Sequence, residues 1–232
     1  MKLICCFVVI LSFLQTGRAL GEGGVEAKIP AGPHSLFVSG DHCVAFRAGN
    51  RIALFVVVKF VGKNCGITAQ VNPDLNNKYY YEVRIPVESF DSQETERDAD
   101  IRKILNFQSF PHLVFKSHSF SVEQWKEFFK KEGGVIQGKL TVKQASYPVS
   151  AKVAIQKVSD RYEVDGIVNG QFVEYGISPP KLAGGIGAKV EDWLELHFHL
   201  RSDSTLGFEQ LLGQDDEFTW NQFSNEKNKK RE

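Results

Sequence analysis

The sequence predicts an all-β domain, either a sandwich or a closed antiparallel barrel, with one or two short helices in its connections. The first observation is that apolar and polar residues alternate in several segments, as they do along half-buried strands. The clearest alternation lies in Tyr79–Val87, Tyr147–Val158 and Val190–Leu200. The second observation is that Gly, Pro, Asn and Asp residues separate such segments, which is typical of turns between strands. Repeated alternating strands joined by turns favour a sandwich or a barrel.

Residues 1–21 are predicted to be a secretory signal peptide. Lys2 precedes the apolar run Leu3–Leu14, and small residues follow, which is the pattern of such a signal. The run is shorter than the roughly 20 residues of a spanning helix, and an uncleaved anchor is the alternative. Cleavage after Ala19 and cleavage after Gly21 both fit. We therefore expect a periplasmic or secreted protein with no stable membrane span after cleavage.

Export leaves Cys43 and Cys65 as the only cysteines of the mature chain. In an oxidising compartment two cysteines can form one disulfide bridge. Two buried free thiols are the alternative, because the sequence alone does not give the distance between them. The chain contains no CxxC pair, so neither a thioredoxin-like site nor a Cys-rich zinc site is predicted.

The charge balance and the length favour a single domain that does not bind nucleic acid. The chain has 28 basic and 28 acidic residues, and removal of the signal takes away Lys2 and Arg18. A near-neutral chain gives no electrostatic reason to expect nucleic acid. We expect one domain over residues 22–202, since this length can bury a sizeable core. Residues 203–232 are predicted to be a polar and aromatic tail, partly disordered, with one amphipathic helix that packs back on the domain.

Strands account for most of the domain. Arg51–Val61 is the most apolar segment of the mature chain and predicts a strand covered on both sides. The other predicted strands are Ser35–Val38, His42–Arg47, Ile67–Val71, Tyr79–Val87, the strand from Pro111, Val135–Val142, Tyr147–Val158, Tyr162–Val168 and Val190–Leu200.

Two segments have helical periodicity. In the charged connection after Tyr79–Val87, Ile101, Ile104 and Leu105 follow the spacing of one helical face. In Val122–Lys131 three aromatic residues share a face, and two glycines after Glu132 end the helix.

The sequence offers no strong catalytic or metal-binding motif. His197 and His199, with Glu195, lie on one side of a predicted strand and could ligate a metal. A polar face directed at solvent explains them as well, and we prefer it because no third ligand is evident. The same interpretation applies to His112 and His118. There is no GxSxG elbow and no cysteine with a histidine signature, so neither an enzyme nor a metal site is predicted.

Several segments, in their order along the chain, resemble the YceI family of envelope proteins. The resemblance covers about Phe60–Leu200, whereas residues 22–58 match weakly and Asp100 stands where many members have a histidine. The segments that carry it are Arg97-Asp98, Phe110-Pro111, Leu113–Ser117, Gly138–Val142, Tyr147–Val149, Tyr175–Ile177 and Val190–Leu200.

The resemblance implies an antiparallel, lipocalin-like barrel of about eight strands that holds a polyisoprenoid or similar amphiphilic lipid, for example a prenyl quinone. Arg97 and Asp98 are expected to form a structural ion pair that fixes the connection, with a contact to the ligand's head group as the alternative. Inward residues of the matched strands would line the barrel, although the same residues could fill a solid core. The expected lining residues are Val83, Ile85, Leu113, Phe115, Leu140, Val153, Leu194, Leu196 and Phe198.

The leading functional prediction is an exported, non-enzymatic binding protein for such a lipid, without a further cofactor. The alternative is an envelope structural or interaction protein with a filled barrel and no bound lipid. A third class is an enzyme or redox accessory that acts on a lipid quinone. The identity and length of the ligand, and whether the protein forms a homodimer, stay open.

Overall fold

The computed structural model describes residues 36–38, 40–52, 56–179 and 188–212. The predicted signal peptide and residues 213–232 of the predicted tail lie outside these residues. The described part is mostly β-structure with two α-helices. The strands are β1 (Cys43–Ile52), β2 (Val56–Asn64), β3 (Thr68–Pro73), β4 (Tyr79–Pro86), β5 (His112–Ser117), β6 (Gly133–Val142), β7 (Ala145–Val158), β8 (Arg161–Gly170), β9 (Ala188–Val190), β10 (Leu194–Arg201) and β11 (Thr205–Leu206). The helices are α1 (Thr95–Ile104) and α2 (Val122–Lys130).

Ten of the strands form one continuous sheet in the order β11-β3-β4-β5-β6-β7-β8-β10-β1-β2, and β9 pairs with β1 beside this path. Neighbouring strands are antiparallel except for β11 and β3. Inward residues of β4, β5, β6, β7 and β10 pack into shared apolar clusters, so the sheet curls around its own interior. The predicted β class and antiparallel architecture are therefore confirmed.

The prediction of a barrel of about eight strands is wrong in strand number, and the sheet is open. In the described residues no ladder joins the edge strand β2 to β3 or β11. One isolated bridge joins β2 to the connection between β4 and α1, where the backbones of Lys63 and Asp91 exchange two hydrogen bonds of 2.8 Å. Strand β11 lies after the predicted domain, and β9 and β10 occupy the region of the single predicted strand Val190–Leu200.

The hairpin of β1 and β2 replaces the two strands that we predicted over His42–Arg47 and Arg51–Val61, because β1 continues through residues 48–50 to Ile52. Arg51 lies one residue before the end of β1 and pairs with Val57 of β2. Val57 and Val58 are 42% and 46% exposed, so β2 is not covered on both sides. The cause is that Gly49 and Asn50 are typical turn residues but lie within β1, whereas residues 53–55 between the two strands are apolar and carry no turn signal.

Helix α2 lies against one end of the curled sheet. The Ser121 hydroxyl accepts a hydrogen bond from the Gln124 backbone N–H, and the Gln124 side chain accepts one from the Ser121 backbone N–H. Trp125 is 2% exposed, and its indole Nε1–H donates to the Tyr79 carbonyl oxygen at 3.0 Å. Because this hydrogen bond ties the helix to the first residue of β4, α2 is fixed as a floor of the barrel.

Residues after β11 reinforce this floor. Phe208 is 6% exposed and Leu211 is fully buried, in the same apolar cluster as Trp125. The Phe208 ring lies 5.4 Å from the Phe129 ring of α2. The described start of the C-terminal segment therefore packs on the domain in a short 3₁₀ helix, Phe208–Leu211.

Candidate functional site: an apolar lumen

The curled sheet encloses an inner cavity with a volume of about 140 Å³. Its exposed lining consists of apolar atoms from inward residues of most strands, and its floor is formed by Trp125, Phe128 and Phe129 of α2 together with Phe208. Such a lining cannot satisfy polar groups of a ligand, but it can bury hydrocarbon. The inner cavity is therefore suited to an apolar chain.

A second cavity of about 410 Å³, the mouth cavity, lies beside α1. Ile101 and Ile104 of α1 line it together with Phe172 and Tyr175 from a 3₁₀ helix, Phe172–Tyr175, and polar side chains also contribute. Five residues line both cavities, which makes the two adjacent parts of one lumen. They are Phe46, Phe90, Leu113, Leu140 and Leu196.

The structure places eight of the nine predicted lining residues on the lumen. Val153 lines neither cavity and belongs instead to the packed apolar cluster, where it is 5% exposed. Leu194 lines the mouth cavity. The residues that line the inner cavity are Val83, Ile85, Leu113, Phe115, Leu140, Leu196 and Phe198.

Aromatic rings on the inner wall lie over glycines of neighbouring strands. Phe46 is in register with Gly62, and Phe198 with Gly166. A Cβ atom at Gly166 would lie 1.9 Å from Cζ of Phe198, and one at Gly62 would lie 2.2 Å from Cε1 of Phe46. The rings occupy space that any other residue would fill with its own side chain. They are thereby held against the wall, and the lumen stays open.

Two tyrosines of the lumen stay uncharged. Burial raises the pKa of the Tyr81 hydroxyl, which lies 2.5 Å from the Thr205 hydroxyl. Burial, with the nearby Glu174 carboxylate, also raises the pKa of Tyr175 at the mouth. Neither group therefore introduces a charge into the lumen at neutral pH.

Arg97 and Asp98 do not form the predicted ion pair with each other. Asp98 accepts hydrogen bonds from the Ser92 backbone N–H at 2.9 Å and from the Ser92 hydroxyl at 2.6 Å. Arg97 donates to the Ser92 carbonyl oxygen at 3.1 Å, pairs with Glu94, and lies 4.7 Å from the centre of the Phe60 ring. The two residues do hold the connection before α1, but they do so through Ser92.

The prediction that His197 and His199 face solvent is wrong. They are 2% and 0% exposed. Nδ1 of His199 lies 2.9 Å from a carboxylate oxygen of Asp165, and Nε2 of His197 lies 3.1 Å from one of Glu195. The side chains are on the outer face, as the alternation predicts, but this face is covered there.

The cover comes from the residues before β1. The Phe37 ring stacks on His199 at 6.0 Å, with an interplanar angle of 28°. Cys43, which is in register with His199, forms a disulfide bridge with Cys65. Contacts from a segment far away in sequence thus bury a histidine that the local pattern places on a polar face.

The described residues contain one cluster with the spacing of metal ligands, Asp41, Cys43 and Cys65. Both of its sulfur atoms are used in the disulfide bridge, so the cluster does not offer thiolate ligands. His112 is exposed and His118 is partly exposed.

Sequence reasoning missed the residues that close the ends of the lumen. The aromatic face of α2 was recognisable from its spacing, but nothing in the spacing says that it closes a barrel. Phe90 lies in a connection and has no strand periodicity to mark it. Asn50 is polar at an inward position of β1. It comes directly before the predicted strand Arg51–Val61, where the sequence pattern did not indicate a strand.

The fold and the lumen define a lipocalin-like class of protein, with a curled antiparallel sheet around an apolar interior. Within this class, residues 44–202 match the YceI-like domain, and the chain belongs to that family. A comparison with curated proteins gives no significant match. None of the helices in the described residues is long and apolar enough to cross a membrane.

Three solved structures illustrate the likeness. BcnA of Burkholderia cenocepacia is similar with a TM-score of 0.50 and 16% identity, over 68% of this chain and 95% of BcnA. A polyisoprenoid binding domain from Saccharophagus degradans, implicated in plant cell wall breakdown, is similar with a TM-score of 0.49 and 9% identity, over 68% and 92% of the two chains. For a YCEI protein of Campylobacter jejuni the values are 0.44 and 15%, over 65% and 88%.

Proposed function

We propose that this protein binds a polyisoprenoid or similar amphiphilic lipid, for example a prenyl quinone, with the lipid chain in the lumen, and that it acts as a carrier or store without catalysis. The observation that carries the proposal is the apolar inner cavity joined to the mouth cavity. The same two cavities favour lipid binding over the alternative of a filled barrel, since a filled barrel would leave no apolar space for a ligand.

The energetics favour a long chain. Burial of one methylene group contributes about 0.8 kcal/mol, so one five-carbon isoprene unit contributes several kcal/mol. Many units would exceed the practical limit of roughly 18–21 kcal/mol for noncovalent affinity. Part of this free energy must therefore offset the ordering of the chain, and affinity should rise with chain length less than in proportion.

Export is part of the proposal. The apolar run after Lys2 has the composition of a secretory signal, and the Cys43–Cys65 bridge is of a kind that persists in oxidising compartments. N-terminal sequencing of the protein from a membrane-enclosed compartment tests this directly. A mature terminus near residue 20 or 22 supports export, and an intact Met1 in the cytosolic fraction contradicts it.

Organic extraction of the purified protein followed by mass spectrometry tests lipid binding. We expect a prenyl species close to one per chain. The variant Ala151→Phe places a ring at a fully buried position of the inner cavity and should leave the extract empty. Val135→Phe is the matched control, because Val135 is 57% exposed on the neighbouring strand. Empty extracts from wild type after expression in several hosts would contradict the proposal.

A further inference from the structure

We propose that the mouth cavity selects a lipid whose head group is uncharged and donates a hydrogen bond, such as a prenyl alcohol or a prenyl hydroquinone. This inference rests on the proposed function and names the class of head group. It is carried by Asn50 and by the charges around the mouth cavity.

Asn50 is a polar residue at an inward position of β1. Phe46 lies four residues before it on the same face, and both residues line the mouth cavity. The Asn50 carboxamide oxygen is buried and has no hydrogen-bond partner among the residues that the structure describes. A buried acceptor without a partner is costly, and a carbonyl oxygen can only accept. A ligand that satisfies it must bring an O–H or N–H group.

The charges around the mouth cavity disfavour an anionic head group. Among the residues that the structure describes, its charged lining residues are Glu94, Glu96, Asp100 and Arg97, so carboxylates there outnumber the guanidinium three to one. The guanidinium of Arg97 is already paired with Glu94 and donates to the Ser92 carbonyl oxygen. A phosphate would need basic donors directed at it, and here it would instead face uncompensated carboxylates.

The arrangement of the two cavities orients the ligand. The inner cavity presents only apolar atoms and ends at the floor formed by α2, whereas the polar groups lie at the α1 end. The tail therefore points toward Trp125, and the head group lies beside Asn50. A hydroxyl next to the first isoprene unit would reach the carboxamide while the chain stays in the lumen.

The experiment compares three probes with the same tail: geranylgeraniol, its methyl ether and its monophosphate. Dissociation constants are measured by equilibrium competition against radiolabelled geranylgeraniol. We expect the alcohol to bind about 10-fold more tightly than the ether, since the ether cannot donate to Asn50. The monophosphate should bind at least about 10-fold more weakly than the alcohol at low salt, and added salt should narrow this gap.

Two variants separate the two parts of the inference. Asn50→Leu should bring the ratio of the dissociation constants of ether and alcohol close to one. Glu96→Gln combined with Asp100→Asn should reduce the preference for alcohol over monophosphate, because it removes two of the carboxylates that line the mouth cavity.

The outcomes distinguish this inference from the proposed function. Equal affinity of wild type for alcohol and ether, or tightest binding of the monophosphate, overturns the inference while lipid binding stands. If none of the three probes binds, both are overturned. An alcohol preference that persists in Asn50→Leu also overturns the assignment of Asn50.

Discussion

Substitution of Gly166 by alanine should close part of the inner cavity without unfolding the protein. The new Cβ atom would lie 1.9 Å from Cζ of Phe198 and 2.4 Å from Cε2. Nonbonded carbon atoms prefer separations of about 3.5–4.0 Å, so the ring must move by about 2 Å. The backbone blocks movement through the wall, and the ring therefore moves into a cavity of only about 140 Å³.

The expected effects on stability and on binding differ in size. Overpacking costs about 1–3 kcal/mol, and loss of a strand glycine recovers about 0.5–1 kcal/mol. The protein should therefore remain folded. Exclusion of two methylene groups of the lipid would cost about 1.6 kcal/mol, which raises the dissociation constant more than tenfold.

The assay measures the dissociation constant for geranylgeraniol and the urea midpoint of both proteins. Gly49→Ala is the matched control, because its Cβ would meet Trp193 and Val57 at 2.8 Å on the outer face of β1 and would leave the lumen unchanged. Unchanged lipid affinity in Gly166→Ala, with a normal urea midpoint, would refute the idea that rings held over glycines keep the lumen open.

Three further predictions concern stability. Trp125→Ala should lower the free energy of unfolding by about 3–5 kcal/mol, measured by urea denaturation. Trp125→Phe, which keeps an aromatic ring but loses part of its volume and the hydrogen bond to Tyr79, should cost less; similar losses in both would argue against α2 as a packed floor. Replacement of Cys43 and Cys65 by serine should lower the free energy of unfolding by about 3 kcal/mol, because the unfolded chain regains the entropy of a 22-residue loop. A urea midpoint that is the same in this variant and in the wild type, with and without reductant, would contradict this. Burial, with the nearby Arg201 guanidinium, lowers the pKa of His42 to about 4; the unfolded chain takes up a proton below about pH 6.5, so stability should fall from pH 6.5 to pH 4. His42→Asn, which can keep an acceptor for the Arg201 backbone N–H, should have a shallower decline, and identical slopes would be inconsistent with the shifted pKa.

The sequence predicted the strands whose outer faces are polar and whose inner faces are apolar. Val83 and Ile85 of β4 and Leu194 of β10 are buried as their alternation indicated. The prediction failed at the β1–β2 hairpin, since the turn residues Gly49 and Asn50 lie within β1 and the apolar residues 53–55 contain no local signal for a reversal. Strand number and closure depend on such reversals and on long-range pairing, so they could not follow from periodicity alone.

The sequence predicted the residues that form the wall of the lumen, but it did not predict those that close its two ends. Alternation points Leu113 and Leu140 inward, but the floor and the mouth are made by helices whose docking is a tertiary property. His199 illustrates the same limit from the outside. Its strand position is polar and outward, and only the packing of Phe37 over it removes it from water.

Isotope-filtered nuclear Overhauser spectra of the methyl-labelled protein with unlabelled geranylgeraniol test directly whether the lipid lies inside the curled sheet. The hollow-sheet account predicts cross-peaks from the lipid to the methyl groups of Leu140 and Leu196, which line both cavities. It predicts none to Val135 or Leu206, which are 57% and 70% exposed. Cross-peaks confined to the exposed methyl groups would place the lipid outside the sheet and contradict the account.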